Sequence, residues 1–352
     1  MKYVLLILVI FPIYTFAQKY DVDKPDEIVE PDPYKQVYFQ DRNDYKRIRS
    51  VTTIIKNKHN NFRPDTQYIV YYNKEGLQTK NIRLNNNKES STTLLHYDTN
   101  KNLLSWQLFE KHFSTLTLYS YNRNNQLEET RQLKLTQVNQ NSDSAETSRM
   151  LYKYEHRNLI EILRSIQSNS TVEKYIYHNN RLKSKIGPYI SKNLQFDKSG
   201  NILKVEEYMG NELVPQKLMG IKKYTFDSNN RLVNDSVLTA SNFEKNKYQV
   251  TNYAYNENNL LQFMKVQYGP SYRNVEFIYS NSNIKEVNVT TNDGNPAYLR
   301  FWIDPKVADH YPFPIAYHEI FGYDENGNRT SKKVFLNKEL YAEIEYKIDY
   351  KN

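Results

Sequence analysis

From about residue 37 onward the chain alternates large apolar side chains with polar ones, and the alternation breaks at short polar knots. In YSYNRNNQL (119–127), YTFDSNNRL (224–232) and FGYDENGNR (321–329), two aromatics stand two positions apart. Asp or Asn follows, then a polar run rich in Asn and Gly. The same arrangement recurs at 71–77, 96–103, 152–159, 175–182, 194–202, 253–261 and 277–284. Strand side chains alternate with period two, so the aromatic pair lies on one face of a strand. Asx residues that cap a turn with their own side chain, followed by residues that tolerate positive φ, reverse the chain. A Leu or Ile then resumes an outgoing strand, as in NQLEETRQLKL (125–135).

Each copy is therefore a β-hairpin, and the pattern predicts an all-β fold. One hairpin is marginal in water, whereas stacked copies bury a continuous aromatic ladder. The architecture expected from this is an elongated, twisted array of consecutive antiparallel hairpins. Its closing segment, ELYAEIEYKIDYKN (339–352), carries Glu and Lys on one face and is expected to be a charged, protected edge strand.

Two intervals between copies are long. Residues 136–149, rich in Ser and Asn, are expected to form a surface loop. Residues 291–319 combine Pro with aromatics, which does not suit a central strand, and are expected to form an ordered loop or cap. The domain reading is thus a signal peptide at 1–17, an acidic, Pro-rich lead-in at 18–36 and one repeat domain at 37–352.

Composition agrees with this reading. Tyr numbers 32 and Phe 15 against 9 Gly, which favours pleated, half-buried surfaces. MKYVLLILVIFPIYTFAQ starts with one Lys, an apolar run and Thr15-Phe16-Ala17, the form of a secretory signal cleaved after Ala17. That run is shorter than the ~20 residues of a spanning helix, so no stable membrane span is expected after cleavage. Cysteine is absent, which excludes disulfides and thiolate chemistry. The net charge of +8 is spread along the chain without a dense basic stripe, so no nucleic-acid partner is expected.

Candidate chemistry is sparse. The chain contains no phosphate loop, nucleophile elbow or HExxH, and no cofactor is expected. Asp98, Asp197, Asp227 and Asp324 recur at equivalent places in several copies, which marks them as turn caps rather than catalytic carboxylates. His310 and His318 stand eight residues apart without a third ligand at diagnostic spacing, so no metal site is expected. The irregular segment is the candidate ligand-binding region, through Tyr298, Phe301, Trp302, His310, Tyr311, Phe313 and Tyr317. Rigid amphipathic aromatics suit binding hot spots, while the competing role for the same residues is to seal the end of the array.

The units YSYNRNNQL, YTFDSNNRL and FGYDENGNR resemble the YD repeats of RHS-type and teneurin-type proteins, with Gly76, Gly200 and Gly327 at the family's glycine place. The resemblance implies local hairpin architecture and an exported bacterial setting. The boundary motif Asp-Pro-x-Gly-Leu is absent, so cargo encapsulation is not carried over.

The function expected from the sequence is that of an exported, non-catalytic repeat protein. It would bind or brace at the cell envelope, in the periplasm, at the surface or in the medium, with an envelope protein or surface glycan as partner. The alternatives are an outer-membrane β-barrel and a secreted carbohydrate-active hydrolase.

Overall fold

The computed structural model describes residues 45–57, 61, 63–85, 87–111, 113–138, 141–166, 169–210, 217–240, 248–292 and 316–351. No α-helix occurs among them. The predicted signal peptide and lead-in, and all of 293–315, lie outside the described residues.

The first strand, β1 (Ile48–Asn57), is followed by hairpins built on the repeat turns. These are β2–β3 (Asp65–Tyr72, Gln78–Asn85), β4–β5 (Lys88–Tyr97, Leu103–Glu110) and β6–β7 (Ser114–Tyr121, Leu127–Val138). Next come β8–β9 (Asn141–Glu155, Asn158–Ile166), β10–β11 (Asn169–His178, Arg181–Ile186) and β12–β13 (Ile190–Phe196, Ile202–Met209). Then follow β14–β15 (Lys217–Phe226, Leu232–Thr239), β16–β17 (Gln249–Tyr255, Leu261–Tyr268) and β18–β19 (Ser271–Ser280, Asn283–Thr291). The last hairpin is β20–β21 (Ala316–Tyr323, Arg329–Leu336), and β22 (Glu339–Tyr350) ends the series. The second aromatic of every repeat thus stands at or next to the end of its incoming strand.

All pairings are antiparallel and join neighbours in chain order, and β22 also pairs with β1 through Val51↔Ile348, Thr53↔Tyr346 and Ile55↔Ile344. The 22-stranded sheet is therefore a closed barrel. This corrects the expected elongated array, and with it the expected edge strand. Glu343, Glu345, Lys347 and Asp349 are the polar face of a doubly paired strand and guard no edge.

The cause of closure lies in the repeat itself. Every repeat hairpin shifts register at its second aromatic, as at Tyr71/Tyr72, His96/Tyr97, Gln195/Phe196 and Gly322/Tyr323. A bulge bends its strand and increases the local twist. Bulges repeated at one end of every hairpin bend the sheet in one sense until it meets itself. Closure then removes both edges.

The turns form as the sequence implies. Asp98 accepts from the Asn102 amide at 2.8 Å, Asp227 from Asn229 and Arg231 at 2.9 Å, and Asp324 from Asn328 at 2.8 Å. The position before the turn closes has positive φ at Gly327 (77°), and Asn125 (62°), Asn230 (59°) and Asn259 (61°) occupy the same place. Asn tolerates this region better than other side-chain-bearing residues, which explains how the repeat dispenses with most of its glycines.

Residues 136–138 and 141–149 are strand rather than the expected loop. The ladder of β7 and β8 runs through them, pairing Lys134↔Ala145 and Gln137↔Ser142.

One face of the wall is buried. Tyr68, Val70 and Tyr72 of β2, Val275 and Phe277 of β18, and Val287 and Val289 of β19 are all buried, and cross-strand partners keep the row continuous. Side chains converge on the concave side of a closed sheet, so these rows line the inside. The opposite face exposes Lys153, Lys174, Lys223 and Glu276.

Between one hairpin and the next, the ladder stops short of the repeat turn. The seam β5/β6 ends at Ser105↔Leu118, β15/β16 at Asn234↔Asn252 and β17/β18 at Phe263↔Glu276. Beyond each end the next repeat's second tyrosine donates its hydroxyl to the carbonyl of the preceding repeat's Leu or Ile. Tyr121 reaches Leu103 O (3.1 Å), Tyr255 reaches Leu232 O (2.8 Å), Tyr279 reaches Leu261 O (2.6 Å) and Tyr323 reaches Ile284 O (2.7 Å). The tyrosine of the repeat is thus a covering residue and a hydrogen-bonding strap at once.

Candidate functional site

Tyr317 is the one residue of the sequence-derived binding region that the structure describes. Its side chain is buried and its hydroxyl is bonded to Glu319. Tyr298, Phe301, Trp302, His310, Tyr311 and Phe313 lie outside the described residues.

Tyr317 is the second residue of β20, where alternation places Tyr317, Glu319, Phe321 and Tyr323 on the buried face, while His318 and Ile320 face away. Pairing with β21 sets Lys332 opposite Phe321 and Val334 opposite Glu319. The result is a charged cluster inside an apolar wall. Tyr317 Oη donates to Glu319 Oε1, and Lys332 Nζ forms an ion pair with the same oxygen. Glu319 is 0% exposed and Lys332 3%. The Phe321 ring lies 5.8 Å from Lys332 Nζ and 4.7 Å from the Arg329 guanidinium carbon. Removing two charges from water costs several kcal/mol per ion, so the attraction must be supported by further polar contacts, here the Tyr317 hydroxyl.

His318 sits on the other face. Its Nε2 is 3.2 Å from Glu286 Oε2, and its ring stacks on Phe335 with centroids 5.6 Å apart. No group of His, Asp and Glu suited to a metal ion occurs among the described residues. The recurring turn aspartates are all engaged in capping, as expected of building blocks.

A second feature lies at the turn end of the seam between β11 and β12. The ladder there stops at Ser184↔Asn193. The position that elsewhere carries the strapping tyrosine is Phe196, which has no hydroxyl to give. A cleft of about 470 Å³ lies at this seam, lined by His178, Asn179, Arg181, Lys183, Leu194 and Phe196. Sequence reasoning passed over both features. Glu319 could have been found as the only acid in the row Tyr317-x-Glu319-x-Phe321-x-Tyr323. The cleft could have been found as a copy with Phe for Tyr directly after a basic turn.

The barrel is also asymmetric from end to end. All the repeat turns, together with the outer ends of β1 and β22 at Ile48 and Tyr350, fall at one end. At the other end most strands are joined by two or three residues, as between β3 and β4 or β17 and β18, and the sequence separations are longer only at 58–64, 210–216, 240–248 and 292–315. Among the described residues no helix is long and apolar enough to cross a membrane, a statement that leaves strands aside. Closure supports the outer-membrane barrel alternative better than the open scaffold.

No family model matches the chain, and no curated protein matches it. Among solved structures it is similar to a chain of the TcdB2-TccC3-Cdc42 crystal structure, with a TM-score of 0.35 and 10% identity over 83% of this chain. It spans 19% of that larger chain. It is also similar to a porin-like protein from Bacteroides vulgatus, with a TM-score of 0.24 and 11% identity over 86% of this chain and 98% of that one. A porin-like protein from Bacteroides uniformis gives a TM-score of 0.20 at 8% identity, over 86% and 96% of the two chains. At these scores the similarities carry no argument, and the reading of the molecule rests on its own geometry.

Proposed function

We propose that this protein is an exported β-barrel of the bacterial outer membrane, with a wall built from YD-like hairpins and no catalytic role. The observation that carries the reading is the β1–β22 pairing, which leaves the sheet without an edge. A sheet can lie in lipid only without open edges, and the β1–β22 pairing removes both. The even strand number fits the same reading, because bacterial outer-membrane barrels are closed antiparallel sheets of even strand number. Strands of 8–10 residues, such as β2, β14 and β18, approach the length a tilted membrane strand needs.

A second reading is favoured by the outer face. Lys174, Lys223 and Glu276 are exposed there. A basic side chain facing lipid at the bilayer midplane costs about 2–4 kcal/mol, with acids costing less. A barrel that stays in the aqueous part of the envelope carries no such cost. Fractionation of cells expressing the full chain separates the two. The membrane barrel sediments with outer membranes, resists carbonate extraction and needs detergent. Release by osmotic shock in soluble, monomeric form would overturn it in favour of the aqueous barrel.

A further inference from the structure

We propose that the open seam between β11 and β12 binds a small sugar phosphate. At four other seams a tyrosine hydroxyl caps the carbonyl of the Leu or Ile that begins the outgoing strand. Here the corresponding carbonyl is that of Leu182 and the covering residue is Phe196, so no tyrosine strap caps it.

Phe226 makes the same change at the seam between β13 and β14. That seam is tied at its mouth by Asn201 Nδ2 donating to Asn230 Oδ1 at 3.1 Å. At the β11/β12 seam the tie is a cation instead. Arg181 donates from Nη1 to Asp197 O at 3.1 Å and lies 3.3 Å from a Cβ placed on Gly200. The guanidinium is held across the mouth of the cleft with donors to spare.

Lys183 is the additional residue of the bulge at Ile176/Tyr177 and is exposed on the same rim. Among the described residues it has no ion-pair partner. His178 and Asn179 complete the rim, and Leu194 and Phe196 form an apolar floor. The carboxylate of Asp197, whose carbonyl holds Arg181, accepts from the Asn201 amide and side chain at 2.8 and 2.9 Å.

The cleft thus offers two positive charges, Arg181 tied to the Asp197 carbonyl and Lys183 exposed on the rim, beside an apolar surface in about 470 Å³, within the range of small-molecule sites. An oxyanion satisfies the cations through charge-assisted hydrogen bonds, and Arg recognises phosphate with paired donors. A ring hydroxyl supplies the donor that Phe196 lacks, and the sugar's apolar face covers the phenyl ring. The inference is independent of which compartment the barrel occupies, because the cleft lies at the turn end of the strands.

Glucose 6-phosphate is the probe, titrated calorimetrically into the full-length protein at low salt, where screening is weak. Saturable binding is expected, with glucose alone and inorganic phosphate alone each at least about tenfold weaker. Lys183→Ala weakens the sugar phosphate about tenfold and does not disturb folding. Phe196→Tyr restores the strap, abolishing binding while the thermal midpoint stays level or rises. Absence of saturable binding, inorganic phosphate binding as tightly as the sugar phosphate, or Phe196→Tyr binding like the parent would each overturn the proposal.

Discussion

Breaking the buried pair on β20 and β21 gives the sharpest energetic prediction. Lys332→Met removes the ammonium and leaves the Glu319 carboxylate, 0% exposed, without that countercharge. Stripping one partner from a buried ion pair costs about 3–5 kcal/mol, mostly because the other charge is left unpaired. The folded-to-unfolded ratio then falls by roughly two to three and a half powers of ten, at 1.4 kcal/mol per factor of ten. Glu319→Leu alone strands the Lys332 ammonium and costs a similar amount. The triple change Glu319→Leu, Lys332→Met, Tyr317→Phe replaces the cluster with apolar groups of similar volume and recovers most or all of the loss, since such replacements are often neutral or stabilising. Urea unfolding at matched detergent and salt, followed by tyrosine fluorescence, reads the midpoints, provided the slope stays constant across the series. If each single change costs less than about 1 kcal/mol, the two charges are not held together away from water and the buried-pair reasoning is wrong.

Two further predictions concern the seams and the turns. Tyr279→Phe removes the 2.6 Å bond to Leu261 O and lowers stability by about 1 kcal/mol, whereas Phe226→Tyr adds a strap and raises it by a similar amount, both read as shifts in urea midpoint. The turn aspartates set the acid limit. The Arg231 amide and guanidinium hold Asp227 below the usual carboxylate range, and the Asn201 side chain and amide do so for Asp197. For Asp324, burial raises the pKa but is outweighed by hydrogen bonds from Tyr350 and Asn328. Depressed folded-state values contribute stability that is fully present above the unfolded pKa near 4 and is lost as pH falls through the folded values. Stability is therefore flat from neutrality to about pH 5 and declines below it, and Asp227→Asn shallows that decline in an acid titration followed by circular dichroism.

Much of the local structure was legible in the sequence because a hairpin is a local object. The ten aromatics aligned by the repeat stand at or beside strand ends, and Asp98, Asp227 and Asp324 make the turns their spacing implied. Closure was not legible. A unit such as YTFDSNNRL specifies its own two strands but not what its outer edges meet, and the bend accumulates from a bulge that no single residue marks. The paired segment 136–149 was hidden for a related reason. Its Ser and Asn content resembles a loop, and only the mutual pairing of β7 and β8 makes 136–138 and 141–149 strand. The buried cluster was half visible, since alternation alone puts Glu319 and Lys332 in line with aromatic and aliphatic rows. The seam cleft was visible only once the role of the tyrosine hydroxyl was known, because Phe for Tyr is otherwise a quiet exchange.

The central claim is that β22 closes on β1, and the absence of native cysteine makes it directly measurable. Thr52 and Lys347 are directly paired across the closing seam. In the Thr52→Cys, Lys347→Cys double variant the two Cα atoms fall within the distance a disulfide spans. Mild oxidation of dilute protein is expected to give a fast-migrating, intramolecularly linked monomer in high yield, independent of concentration. A product that stays unlinked when dilute and forms dimers as concentration rises would show an open sheet with two free edges, and would contradict the barrel.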